Sequence, residues 1–147
     1  MGTWDIGPFE NDMAADFAGT LDDIAMAERE DVVRSALTLT IQTQGYLESP
    51  EGAEAVAAAA LIAAQCPDGT PITSSYGPDE PLPVFSGRLR VLAVAALDRV
   101  LAEQSELADL WAETVDGPRW RHSIGLLREV LDPSPKPHGE PTLEIRI

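Results

Sequence analysis

The residues in this chain best suited to chemistry are carboxylates. Asp12 and Asp16 stand four apart, Glu51 and Glu54 three apart, and Glu48 just precedes the second pair. Residues three or four apart share one face of a helix, so each pair would present two carboxylates together. An all-oxygen cluster of that kind suits Mg²⁺, Ca²⁺ or Mn²⁺. With such an ion it could activate water for hydrolysis. Asp12, Asp16, Glu48, Glu51 and Glu54 are therefore the candidate metal ligands, and a carboxylate-dependent metal hydrolase is the enzymatic reading. A simpler reading competes with it. Both pairs fall where helices are expected to begin, and acids are favoured there by the helix dipole.

Nothing else in the chain has catalytic spacing. There is no Walker loop, no G-x-G-x-x-G, no G-x-S-x-G, no H-E-x-x-H and no paired C-x-x-C. His122 and His138 are far apart, and His122, in W-R-H-S, reads as a surface histidine. The single cysteine, Cys66, excludes an intramolecular disulfide and closes an apolar helix, where a buried, inert thiol is expected. No catalytic residue is assigned and no cofactor is called for. Arg119 and Arg121 flank Trp120, and Arg88 and Arg90 open a helix. Basic residues beside an aromatic can bind nucleic acid. In this chain they read instead as internal salt-bridge partners for the acidic front half.

Charge decides that reading. The formal net charge is −15. Residues 1–66 hold 12 acids and 2 bases, residues 67–147 hold 13 acids and 8 bases. A field of this sign repels nucleic acid and anionic membrane and favours a basic protein as partner. It also keeps a protein soluble with no partner at all. The longest unbroken apolar run, Ala55 to Ala64, is too short to span a bilayer. The start of the chain is acidic and polar rather than basic and then apolar, so no secretory signal is expected and the protein is placed in the cytoplasm.

These residues must be held by helices. Trp4, Ile6 and Phe9 lie in a stretch broken by Gly2, Gly7 and Pro8, which cannot form a long helix. Asn11 or Asp12 offers an N-cap, and Met13, Phe17, Leu21 and Ile24 then recur at helical spacing. Residues 28–31 read as a polar junction. Asp31 caps or begins a second helix through about Gln44, with Val32, Val33, Ala36, Leu37, Leu39, Thr40 and Ile41 as its apolar face and Gly45 at C′. Its β-branched end, T-L-T-I-Q-T, also suits a strand, but the spacing favours helix. Ser49 as N-cap and Pro50 in the first turn open a third helix, Glu51 to Cys66. It is apolar nearly all round, which places it centrally.

Residues 67–86 are punctuated by Pro67, Gly69, Pro71, Gly77, Pro78, Pro81 and Pro83. They form a long connection expected to pack Ile72, Tyr76, Val84 and Phe85 onto the helices. A fourth helix from Ser86 to Gln104 turns Leu89, Leu92, Ala93, Ala96, Leu97, Val100 and Leu101 inward. Ser105 caps a fifth helix with Leu107, Leu110, Trp111 and Val115 inward, and Asp116-Gly117-Pro118 stops it. A sixth, Arg119 to Leu131, buries Trp120, Ile124, Leu127 and Leu131. Residues 132–141 are a proline-rich linker to Thr142–Ile147, whose strict alternation is that of a half-buried strand. Residues 3–6 alternate too. The termini could pair as a small ribbon, the tail could add to another chain, or it could fray.

The opening M-G-T-W-D-I-G-P-F-E-N-D-M-A-A-D-F resembles a bacterial family of uncharacterised domains that begin M-G-x-W-G-x-G-P-F-x-N-D-x-A-x-D-[FW]. Gly2, Trp4, Gly7, Pro8, Phe9, Asn11, Asp12, Ala14, Asp16 and Phe17 match, and Asp5 stands where the family usually has Gly. The resemblance continues at Tyr46-Leu47-Glu48, Ala57-Ala58-Ala59 and Ser105-Glu106-Leu107 with Trp111. It spans most of the chain and implies no established activity. Members often carry Glu after the alanine run, where Ala60 stands here, which weakens a site on that helix face.

The sequence therefore leads to one domain over residues 1–147: mainly α, a compact bundle of five to six helices, to which pairing of the termini could add a short two-stranded element. The leading function is a non-enzymatic cytoplasmic interaction module, immunity- or inhibitor-like, whose acidic face over residues 1–66 binds a basic protein. The metal hydrolase is the rival. A homodimer built through the tail strand or the third helix is the third reading.

Overall fold

A helix that is apolar on every side has to be surrounded, and here it is. In the computed structural model, which describes residues 5–132, six helices follow one another: α1 (Asp12–Asp23), α2 (Met26–Gln42), α3 (Ser49–Ala63), α4 (Arg88–Leu101), α5 (Glu106–Ala112) and α6 (Gly117–Leu131). The fold is mainly α. Helix α3 packs against all five others. Gly52, Ala53 and every residue from Ala55 to Ala63 are buried. Small side chains let neighbouring axes come close, because the separation of packed helices is set by the residues at the contact. Enlarging one of these alanines would force the layers apart, at a typical cost of about 1–3 kcal/mol.

The first helix forms as its sequence suggests. The Asn11 side chain accepts from the Ala14 amide at 2.8 Å, and Asp12 lies in the first turn. Ala14, Phe17, Ala18 and Leu21 face the core. Met13, expected inward, is exposed because the buried stripe is centred one residue later. Phe9, from the segment ahead of the helix, is only 1% exposed and closes the core at that end.

The second helix departs most from expectation. It starts at Met26, five residues before Asp31, so residues 28–31 are helix and not a junction. Two extended residues, Ile24 and Ala25, suffice to turn the chain. The early start puts Arg29 in register with Val33, Ala36, Leu37 and Thr40, the buried stripe, and Arg29 is 6% exposed. Its Nε donates to Leu21 O at 2.7 Å, one Nη to Ile24 O at 2.9 Å and the other to Pro81 O at 2.6 Å. The helix ends at Gln42, and Gly45 takes its positive φ of 79° in the turn beyond the cap instead of at C′. Leu39 faces solvent, and Thr40 is buried with its hydroxyl on Glu51 O.

Helices α3 and α5 start side by side. Leu47 N donates to Gln104 O and Glu106 N to Leu47 O, both at 2.8 Å, a single parallel bridge between Leu47 and Ser105. Ser49 is not the N-cap of α3. Glu48 holds that position, and the Ser49 amide is satisfied by the Glu106 carboxylate at 2.8 Å. Ser105 does cap α5. Helix α3 stops at Ala63, before Cys66, and α4 spans 88–101, shorter at both ends than the pattern implied. Asp116-Gly117-Pro118 opens α6, because Pro118 fits the first helical turn, where an amide proton has no partner to lose. A Cβ at Gly117 would sit 2.4 Å from Trp111 O, so glycine is required there. This close turn stacks Trp111 on Trp120, with ring centroids 5.8 Å apart. Val115 lies outside the helices and is exposed.

Residues 64–87 form a fastened strap. Gln65 donates to Pro83 O and accepts from Phe85 N, both at 2.9 Å. The Asp22 carboxylate receives the amides of Asp79 and Glu80. Phe85 is buried, with Ile72 and Leu82 packed against the core. Tyr76 and Val84, expected to pack, are exposed. Among the described residues no helix is long and apolar enough to cross a membrane. The ribbon of the termini, the strand at 142–147 and all but Asp132 of the 132–141 linker lie outside the described residues.

Replacing Arg29 with alanine removes three hydrogen bonds from two segments at once, one of them the buried bond to Leu21 O. We expect R29A to lose about 3 kcal/mol in urea denaturation. R34A, which breaks only the solvent-facing pairs of Arg34 with Glu30 and Asp31, should lose under about 1 kcal/mol.

Candidate functional site

The five candidate carboxylates fall on two helices. Asp12 and Asp16 are exposed on the first two turns of α1. Glu48 is exposed at the N-cap of α3, and Glu51 and Glu54 are half-buried on its first two turns. Among the described residues, no three His, Cys, Asp or Glu side chains come together in a way that could hold a metal ion. The five carboxylates are thus not brought to one point. Asp12 and Glu51 sit in first turns, where the dipole favours them. Glu54 is the exception. Burial, and secondarily the negative charge of Glu51, pushes its carboxyl above the ordinary carboxylate range.

The other singled-out residues are also accounted for locally. His122 is exposed on α6. Cys66 is half-buried, and its thiol donates to Ile62 O at 3.5 Å. The arginines do not pair with the acidic front half as expected. Arg119 bonds Asp116 within its own helix end at 3.1 Å. Arg121 donates to Leu101 O, the last residue of α4. Arg90 donates to Leu131 O and Val130 O, the last turn of α6. Backbone carbonyls at helix C-termini lack partners, and a cation there is favoured by the dipole. Arg88 alone of these four is simply exposed.

Two features escaped the sequence reading. One is Arg29; its signal was present, since position 29 continues the 33/36/37/40 stripe once the helix is allowed to begin earlier. The other is an open groove of about 630 Å³. It lies between residues 6–10, residues 68–74 of the strap and the second half of α6. Ile6, Phe9, Ile72, Leu126, Leu127 and Val130 form apolar walls, with Ala60 and Ala63 of α3 as part of the lining. Three segments far apart in sequence build it, so no local pattern could reveal it. Glu10 and Ser74 tie two of those segments through a carboxylate–hydroxyl hydrogen bond of 2.5 Å. A volume of this size is in the range of natural binding sites.

The raised carboxyl of Glu54 has a stability consequence. The fold disfavours its charged form, so the associated stability is present below the ordinary carboxylate pKa and lost as pH rises through the raised value. E54Q should therefore melt above wild type at pH 7, by about 1 °C because the group is partly solvated. Melts repeated near pH 4 should show the gap closing.

A family model described as a domain of unknown function (DUF4259) matches residues 2–123, which takes in α1 to α5 and the first half of α6. No curated protein and no solved structure matches the chain. The clamp that aligns α3 with α5, the core built around α3, and two of the three segments of the groove all fall inside the matched residues. The chain belongs to the DUF4259 family, a domain of unknown function.

Proposed function

We propose that the chain is a single-domain, non-enzymatic interaction module of the cytoplasm, whose acidic surface binds a basic protein in the manner of an immunity or inhibitor protein. The observation that carries this reading is the unequal use of charge. Arg29, Arg90, Arg99 and Arg121 direct their guanidinium groups at backbone carbonyls, and Arg34, Arg119 and Arg128 at neighbouring acids. Seven of the eight arginines among the described residues are thus engaged within the fold, Arg88 being exposed, while the chain as a whole carries −15. Helix α1 contains no base, and Asp12, Asp16 and Asp23 are exposed along it. Its neighbour in sequence, Arg29, is buried. A surface of one sign accelerates encounter with a partner of the other and weakens with salt.

Binding of this kind needs no reacting group, which accords with the scattered carboxylates. The test is capture of partners from lysate of the source organism on immobilised full-length protein, in steps of increasing salt. We expect a basic protein retained at low salt and released at high salt. The double variant Asp16→Lys/Asp23→Lys should lose it, and Glu103→Lys/Glu113→Lys, with the same charge change on α5 and its approaches, should keep most of it. Nothing retained above background, or equal retention by both variants, would sink the proposal.

A further inference from the structure

The groove beside α6 has a wall chemistry that the acidic surface alone does not explain. We propose that it receives a segment of the basic partner in which apolar side chains are flanked by lysine or arginine. This deepens the preceding proposal and rests on it.

Apolar walls define the first half of that ligand. Leu126 is 50% exposed on α6, and Ile6, Ile72, Leu127 and Val130 continue the same apolar lining. Contiguous apolar surface left open to water marks an interaction site more often than isolated exposed residues do. Charge defines the second half. Among the described residues that line the groove only two are charged, Glu10 and Asp68, and both are acidic. Asp68 is exposed and bonds to nothing among the described residues. Glu10 keeps a second carboxylate oxygen beyond the one that holds Ser74. An apolar trough with an acidic rim rejects anionic peptides and anionic lipid surfaces, and it gains little from a purely polar cation. It suits a chain that buries apolar side chains while its lysines or arginines meet the rim.

The groove is also shaped in advance. The Glu10–Ser74 bond joins its first two walls, and Ile124 of α6 packs in the core beneath it. A site that needs no ordering on binding wastes less of the interaction energy. It is open along one side, so a segment can enter and leave it as part of a longer chain.

Two labelled synthetic peptides of equal length and charge test the proposal by fluorescence anisotropy against the full-length protein. One alternates Leu and Lys, the other Ser and Lys. Tighter binding of the Leu/Lys peptide, by at least about fivefold, is expected from burial of even one leucine. D68K and L126E, both at exposed positions, should each weaken it by about fivefold, while Asp16→Lys should act equally on both peptides. Circular dichroism melts check that the variants fold. Equal binding of the two peptides, no binding of either, or groove variants that bind like wild type would overturn the proposal. The acidic-module proposal would survive those outcomes if salt-sensitive capture still depended on Asp16 and Asp23. If Leu143→Ser/Ile145→Ser raises peptide affinity, the groove belongs to the chain's own C-terminal segment. If sedimentation finds a dimer that L126E abolishes, it belongs to a second copy. Either result overturns the assignment to a partner.

Discussion

The structure turns on a buried guanidinium. Arg29 reaches from α2 to the last carbonyls of α1 and to Pro81 in the strap, with donor–acceptor distances of 2.6 to 2.9 Å. Helix α1 has no base in its own last turn, so its negative dipole end is met from the next helix. A cation in the interior is tolerated only when its donors are satisfied, and carbonyls at a helix end are unsatisfied acceptors by construction. The two deficits cancel. Because one side chain serves α1, α2 and the strap, the position of the strap is tied to the sharp turn at residues 24–25. That turn in turn fixes where α2 begins.

The same solution recurs around the fold. Arg90 of α4 meets the end of α6, Arg121 of α6 meets the end of α4, and Arg99 joins Gly45 O to the turn at Gln104. Gln104 holds a positive φ of 64°, unusual for a residue with a side chain, and its carbonyl accepts from Leu47. Helix starts are paired in the complementary way. Glu106 of α5 satisfies the Ser49 amide at the start of α3, and Tyr46 donates to Asp109, so the two helix starts are tied across the Leu47–Ser105 bridge. Short helices are marginal alone. α5, with seven residues, is held by this clamp and by Trp111 on Trp120.

How much of this was legible follows from the range of each interaction. The apolar period placed six helices and the centrality of α3, because burial of a face is written in nearest turns. Asn11 and Ser105 were readable as caps, since a side chain reaching its own helix start is local. Errors came where a distant group replaced the local one. Ser49 looked like a cap because nothing in its neighbourhood announced Glu106. Residues 28–31 looked like a junction because a buried arginine among acids contradicts the usual meaning of a polar run, and only the carbonyls of α1 and Pro81 justify it. Asp116-Gly117-Pro118 carries the same residues whether it stops one helix or starts the next, and the contact of Gly117 with Trp111 O decides between them. Of the candidate carboxylates, Asp12 and Glu51 lie in first helical turns, and Asp16 and Glu54 one turn further on. Whether they converged depended on the arrangement of α1 and α3, which periodicity does not contain.

Sorting the acids by partner sharpens what remains to be explained. Asp22 holds strap amides, Glu30 meets Arg34 and the Ser86 amide, Asp98 meets Arg128, Asp109 meets Tyr46 and Asp116 meets Arg119. Those charges are structural. Asp16, Asp23 and Asp68 have no such duty among the described residues. Asp23 even sits in the last turn of α1, where an acid opposes the dipole. Solubility alone would be served by acids placed anywhere. Self-repulsion among such acids weakens the compact state, and of the three Asp68 lines the open apolar groove. Arg29, Arg90 and Arg121, by contrast, spend their charge on helix ends.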